Sequence, residues 1–126
     1  GEAIKVMILL SDGANTFYPS YPKIDIIAAY NKDGSWQGAS ASSFQAYHEK
    51  ANEKTLTLCS NIKAKGIRIY TIAFGLGASG EDTDGREVLE KCASSSDHYF
   101  NATNSAALDA AFALISKELT GLRLIK

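Results

Sequence analysis

The sequence predicts an α/β fold: a mainly parallel sheet, doubly wound, with helices on its faces. Three observations carry that prediction. Ile4 to Leu10 is near-continuously apolar and ends in Ser11-Asp12-Gly13, the mark of a strand covered on both faces. Ile67 to Phe74 is a second such run, rich in β-branched and aromatic residues. Segments of helical period follow both runs, and this alternation implies parallel strands joined by right-handed crossovers.

Taken in order, the first strand is followed by a long irregular stretch over 14–45. It holds Pro19, Pro22, the turn signal Asn31-Lys32-Asp33-Gly34 and the Gly/Ser run Gly38 to Ser43. Within it, Ile24 to Tyr30 has strand composition and would turn at Asp33-Gly34 into a hairpin with Trp36. Ala46 to Lys65 reads as a helix with the stripe Tyr47, Ala51, Thr55, Leu58 and Ile62, stopped by Gly66. After Ile67 to Phe74 comes a polar loop to Asp84, then a short helix Gly85 to Ala93 with Val88, Leu89 and Cys92 inward and Asp84 as its N-cap. Asp97 to Ala102 holds a third strand, His98-Tyr99-Phe100. Asn104 to Thr120 is the most regular helix, with the stripe Leu108, Ala111, Phe112, Ile115 and Leu119. Gly121 is expected to end it, leaving Leu122 to Ile125 extended. All 126 residues read as part of one domain.

Composition narrows the function classes. Lys plus Arg number 13 against 14 Asp plus Glu, a net charge of −1. No basic surplus exists to meet a phosphate backbone, so nucleic acid is not an expected partner. No apolar window reaches the roughly 18 residues of a membrane span.

Asp12 is the first candidate for chemistry. Ligands of open α/β sheets gather at the carboxyl ends of strands, where Asp12 falls. A carboxylate there is a potential ligand for a hard divalent cation, or simply caps the following turn. The long stretch carries Phe17, Tyr18, Tyr21, Tyr30 and Trp36. These aromatics either pack the loop onto its own domain or present a partner-binding surface.

Leu9-Leu10-Ser11-Asp12-Gly13 resembles the last metal-motif segment of von Willebrand factor type A domains. Ile62 to Gly66 followed by Ile67 to Gly75 resembles that family's next helix end and strand. Cys92-Ala93-Ser94, Tyr99-Phe100-Asn101-Ala102 and the ending Leu108 to Leu119 with Leu122-Arg123-Leu124 resemble the C-terminus of bacterial TadG-like pilus-assembly proteins. The resemblance implies a Rossmann-like von Willebrand A fold, of which this chain is the C-terminal half. It implies a protein–protein recognition or adhesion module, not an enzyme, on the periplasmic or cell-surface side of a bacterial envelope and anchored through another segment. In the complete domain Mg, Mn or Ca would bind. The family's Asp-x-Ser-x-Ser loop and its second-loop Thr have no counterpart here, so Asp12 alone carries over and no cation is expected on this chain by itself. The expected partner is a protein: the remaining half of the domain, or a second copy, pairing along Ile4 to Leu10.

Gly75-Leu76-Gly77-Ala78-Ser79-Gly80 is the rival motif, since G-x-G-x-x-G after a strand is the dinucleotide fingerprint. It would make the chain a nucleotide-binding Rossmann-like enzyme. Against it, Glu81, Asp82 and Asp84 follow and would repel phosphate, and the next helix reads as late and short. Asp82-Thr83-Asp84-Gly85 has the opening of a calcium loop without the rest of its spacing. His48 and His98 have no partner at catalytic spacing, and no G-x-S-x-G elbow exists.

Cys59 and Cys92 lie on helices that follow successive strands. If both crossovers run in one direction across the sheet, right-handedness puts the helices side by side on one face. A disulfide is expected there; two buried free thiols are the alternative.

Overall fold

A computed structural model describes residues 3–15 and 44–124. The elements are β1 (Val6–Ser11), α1 (Phe44–Ala64), β2 (Arg68–Phe74), α2 (Glu81–Cys92), a 3-10 turn (Ser96–His98), β3 (Tyr99–Ala102) and α3 (Ser105–Leu124). The three strands form one parallel sheet in the order β1-β2-β3. Val6 lies opposite Arg68 and Ser11 opposite Ala73; Thr71 lies opposite Tyr99 and Phe74 opposite Ala102. The α/β class and the parallel sheet are those the sequence predicts.

Alternation along β2 divides the core. Ile69 packs with Cys59, Val88 and Cys92 on the α1/α2 side, while Tyr70 and Ile72 pack with Ala111 and Ile115 of α3 on the other. Helices therefore cover both faces, and Ile69 to Ala73 are fully sealed. The one buried polar side chain of that run, Thr71, donates its hydroxyl proton to the Leu89 carbonyl at 2.7 Å, which offsets the cost of burying it. Where β3 has not yet begun, Ser94 stands in for it: its Oγ accepts the Ile69 N–H at 2.8 Å and its N–H donates to the Ile69 carbonyl at 3.0 Å.

Cys59 of α1 and Cys92 of α2 are joined by a disulfide, with Cα atoms 5.2 Å apart. One turn further along α1, Lys63 Nζ donates to the carbonyls of Lys91 at 2.9 Å and Ala93 at 3.3 Å. It supplies the positive charge that a helix C-terminus favours.

Several expectations need correction. Helix α2 begins at Glu81, not Gly85, so Asp84 lies inside it and is not its cap. Gly80, at φ 62°, makes the left-handed turn into the helix, and its carbonyl accepts the Thr83 N–H at 3.0 Å. The acidic run that read as loop suits the positive end of a helix. Helix α3 continues through Gly121 to Leu124 instead of giving way to an extended tail. Gly121 does not adopt the positive φ of a C-cap glycine. Leu122 lines a groove with Ile4, Val6 and Leu119, and that burial offsets the roughly 1 kcal/mol penalty of a helical glycine. The α3 helix starts as expected, the Asn104 side chain accepting the Ala107 N–H at 2.8 Å. Two stripe residues point elsewhere. Leu58 is 59% exposed, because Cys59 with Leu56 and Ile62 faces the core, and Phe112 is 41% exposed on the flank of α3. The expected strand Ile24 to Tyr30 and its hairpin lie outside the described residues.

Among the described residues β1 pairs only with β2 and is an edge strand. Met7 and Leu9 pack against the α1/α2 side. On the α3 side Val6 is covered, but Ile8 and Leu10 are 42% and 46% exposed.

Candidate functional site

The carboxyl end of the sheet is built around the turn that follows β1. Ser11 Oγ donates to the Gly13 carbonyl at 2.9 Å and accepts the Gly13 N–H at 3.3 Å. This closes the turn on itself and leaves Asp12 exposed at its tip. Asn15 then anchors the chain to α1, its Nδ2 donating to Asn52 Oδ1 at 2.9 Å and Thr55 Oγ1 at 3.2 Å. On the other side the turn meets α2 at Gly85, where an added Cβ would stand 3.2 Å from the backbone N and Cα of Ala14 and 3.3 Å from the Gly13 carbonyl oxygen. Gly85 is therefore what lets loop and helix touch. The cavity beneath, bordered by Ser11, Asn15, Thr55 and Gly85, measures about 120 Å³, below the range of ligand pockets.

The described residues supply few donors for a cation at this end. Asp12 brings one carboxylate, and the Ser11 hydroxyl is engaged within the turn. Among the described residues no group of three or more His, Cys, Asp or Glu converges. A hard cation takes about six oxygens or more.

The Gly75–Gly80 loop lies at the same end, after β2. Gly75 and Gly80 both have positive φ, 69° and 62°, and the Gly75 N–H donates to the Ala102 carbonyl at 2.8 Å. Contrary to the sequence reading, the motif does open directly into a helix, twelve residues long. Its mouth is already filled by a carboxylate: Asp82 Oδ2 accepts the Gly77 N–H at 2.9 Å. A Cβ on Gly77 would sit 2.8 Å from that oxygen. The backbone amide that a pyrophosphate would need is thus engaged by the chain's own anion.

A second polar cluster lies at the opposite end of the sheet. Glu118 Oε1 of α3 receives Arg68 Nη1 at 3.3 Å and pairs with His98 Nε2 at 3.1 Å. The His98 ring tilts against Tyr70, centroids 4.5 Å apart. Among the described residues the Tyr70 hydroxyl and His98 Nδ1 are buried and meet no hydrogen-bond partner. Burial pushes the Tyr70 phenol above its usual range; the neighbouring Glu118 adds to this and Arg68 opposes it. The cluster ties α3 to the starts of β2 and β3. The sequence shows no partner for His98 at catalytic spacing, and the structure supplies Glu118 from α3. The signal was Glu118, a charge set between Ile115 and Leu119 on the apolar stripe.

Phe17, Tyr18, Tyr21, Tyr30 and Trp36, the candidate partner-binding aromatics, lie outside the described residues. Among the described residues no helix is long and apolar enough to cross a membrane. Comparison with protein-family models, curated proteins and solved structures finds no match.

Proposed function

We propose that this chain is the C-terminal portion of a von Willebrand A-like domain, serving as a protein–protein recognition or adhesion module in an envelope-associated pilus-assembly protein of the TadG-like kind. In this reading it is not an enzyme. The observation that carries it is Ser11-Asp12-Gly13 at the carboxyl end of a parallel strand, in a turn clamped between α1 and α2 so that Asp12 is presented outward. The Cys59–Cys92 disulfide suits an oxidising periplasm or cell surface. In the complete domain Asp12 would contribute one oxygen to a bound Mg, Mn or Ca, the remaining ligands coming from outside the described residues. The test is the natural gene sequence upstream of the codon for Gly1, with magnesium calorimetry on the longer product. An Asp-x-Ser-x-Ser loop, and binding lost in Asp12→Ala, supports the reading. Neither being found overturns it.

The second reading, a nucleotide-binding Rossmann-like enzyme, rests on the glycine loop opening straight into α2. The Asp82–Gly77 hydrogen bond argues against it. Titration with NAD and with ATP separates the two: micromolar binding abolished by a side chain at Gly77 would favour the enzyme.

A further inference from the structure

The direction in which Asp12 is presented depends on how the turn after β1 is held at both ends. Its upstream end is set by the ladder, where Ser11 lies opposite Ala73 of β2. The turn is closed on itself by the Ser11 hydroxyl at Gly13. A closed turn still swings about its exit unless the exit is fixed too. The contact at Gly85 is backbone against backbone, a Cβ there meeting Ala14 at 3.2 Å. Close packing of that kind limits approach, whereas hydrogen bonds set direction. Asn15 makes two of them, its Nδ2 donating to Asn52 Oδ1 and Thr55 Oγ1 across 37 and 40 residues of chain. Thr55 spends its own hydroxyl proton on the Ala51 carbonyl at 2.9 Å, so toward Asn15 it can only accept. An amide nitrogen with two hydrogens satisfies both acceptors at once. Asn52 and Thr55 are three residues apart and share one face of α1. The pair of hydrogen bonds therefore registers the turn against a rigid helix.

We infer that Asn15 is the positioning residue for Asp12: through the turn, and without touching what Asp12 binds, it sets the direction in which that exposed carboxylate points. The inference rests on the reading of Asp12 as a cation ligand of the complete domain, and it names the residue that would govern affinity there from within this chain. A ligand side chain must be held to within about half an ångström of its productive place by groups that do not themselves touch the bound species. Removing such a group typically lowers metal affinity about 10- to 100-fold. The buried core runs along β2 and its helices, away from these two part-buried hydrogen bonds. Their loss therefore frees the turn and leaves the rest of the fold in place.

Residual dipolar couplings, measured by NMR on the whole chain with no cation added, test the orientation directly. In the unaltered chain the N–H vectors of Asp12, Gly13 and Ala14 should fit the alignment of the sheet. In Asn15→Ala their couplings should shrink toward zero while those of β2 and α3 keep their values. Asn15→Leu, of similar size to asparagine and without a donor, should do the same. Asn52→Asp, which keeps an oxygen to receive Asn15, should preserve them. Magnesium calorimetry on the longer gene product reads the consequence: Asn15→Ala should weaken binding about 10- to 100-fold at unchanged stoichiometry, and Asn52→Asp should not. Unchanged couplings at Asp12 to Ala14 in both Asn15 variants overturn the inference. So does their loss throughout the chain in both, which is the mark of a purely structural residue, or a magnesium affinity that Asn15→Ala leaves unaltered. If the unaltered longer product binds no magnesium, the cation reading fails instead, and the couplings decide by themselves whether Asn15 positions the turn.

Discussion

Reducing the Cys59–Cys92 bond while leaving both side chains in place isolates what that bond contributes. The cysteines are 33 residues apart. In the chain-entropy description, opening a loop of that length returns freedom to the unfolded chain equivalent to about 3–4 kcal/mol at 25 °C. The folded side changes little. Both sulfurs stay enclosed by Ile69 and Val88 as small apolar groups, and Lys63 still braces the end of α2. Domains of this kind hold a margin of about 5–15 kcal/mol, so the loss is a large share of it. Urea unfolding of oxidised and reduced chain in one buffer measures the difference. With a slope of about 1–3 kcal/mol per molar, the midpoint should fall by roughly 2 M. Reduction is preferred to Cys→Ala, which would add a cavity cost in the same place. A midpoint unmoved by complete reduction refutes the stability argument, and two reactive thiols in denatured, unreduced protein refute the pairing.

Gly85→Ala forces a methyl group against the Ala14 backbone; the clash of about 1–3 kcal/mol should outweigh the roughly 1 kcal/mol gained in helix propensity. Gly121→Ala meets no neighbour in a helix of ordinary φ, so it should raise stability by about 0.5–1 kcal/mol; thermal unfolding of the two variants checks that opposite sign. Burial raises the phenol pKa of both Tyr70 and Tyr99 in the folded state, so the folded form binds protons more tightly than the unfolded one. Their stabilisation is complete below the ordinary tyrosine range and is lost as pH rises through the raised folded-state values, and ultraviolet titration should show the Tyr70 and Tyr99 phenols ionising at higher pH in the folded than in the unfolded chain. Calorimetry of the chain with magnesium or manganese should detect nothing tighter than millimolar, because Asp12 supplies a single carboxylate; micromolar binding abolished by Asp12→Ala would show that other residues complete the site.

The elements most legible in the sequence are those whose pattern is determined by burial on every side. β2 was visible because each of its residues meets a helix on one face or the other. The start of α2 was not, since Glu81, Asp82 and Asp84 suit a loop and a helix N-terminus equally, and only the positive φ of Gly80 decides between them. Gly121 misled for a related reason: a glycine near a helix end marks a stop only when it takes the left-handed turn. Phe112 and Leu58 show the limit of an apolar stripe. The stripe tells which side of a helix is inward, while the angle at which that side meets the sheet depends on packing. At the candidate site Asp12 was legible from the strand before it. Its supports, Asn15 on Asn52 and Thr55 and the contact at Gly85, arise from distant parts of the chain, and no local spacing announces them.

The register of β1 against β2 also bears on the order of assembly. Val6 meets Arg68 across 62 intervening steps of chain, whereas the contacts of β2, α2, β3 and α3 are made within one continuous segment. Closing a long loop costs entropy before any pairing returns it. The segment from Arg68 onward is therefore expected to structure first, with the first strand docking in a late, slower step. Substitutions such as Leu9→Ala should then speed unfolding and leave the refolding rate nearly unchanged. Cys59 and Cys92 do not need that step, so oxidation can proceed on a chain whose first strand is still undocked.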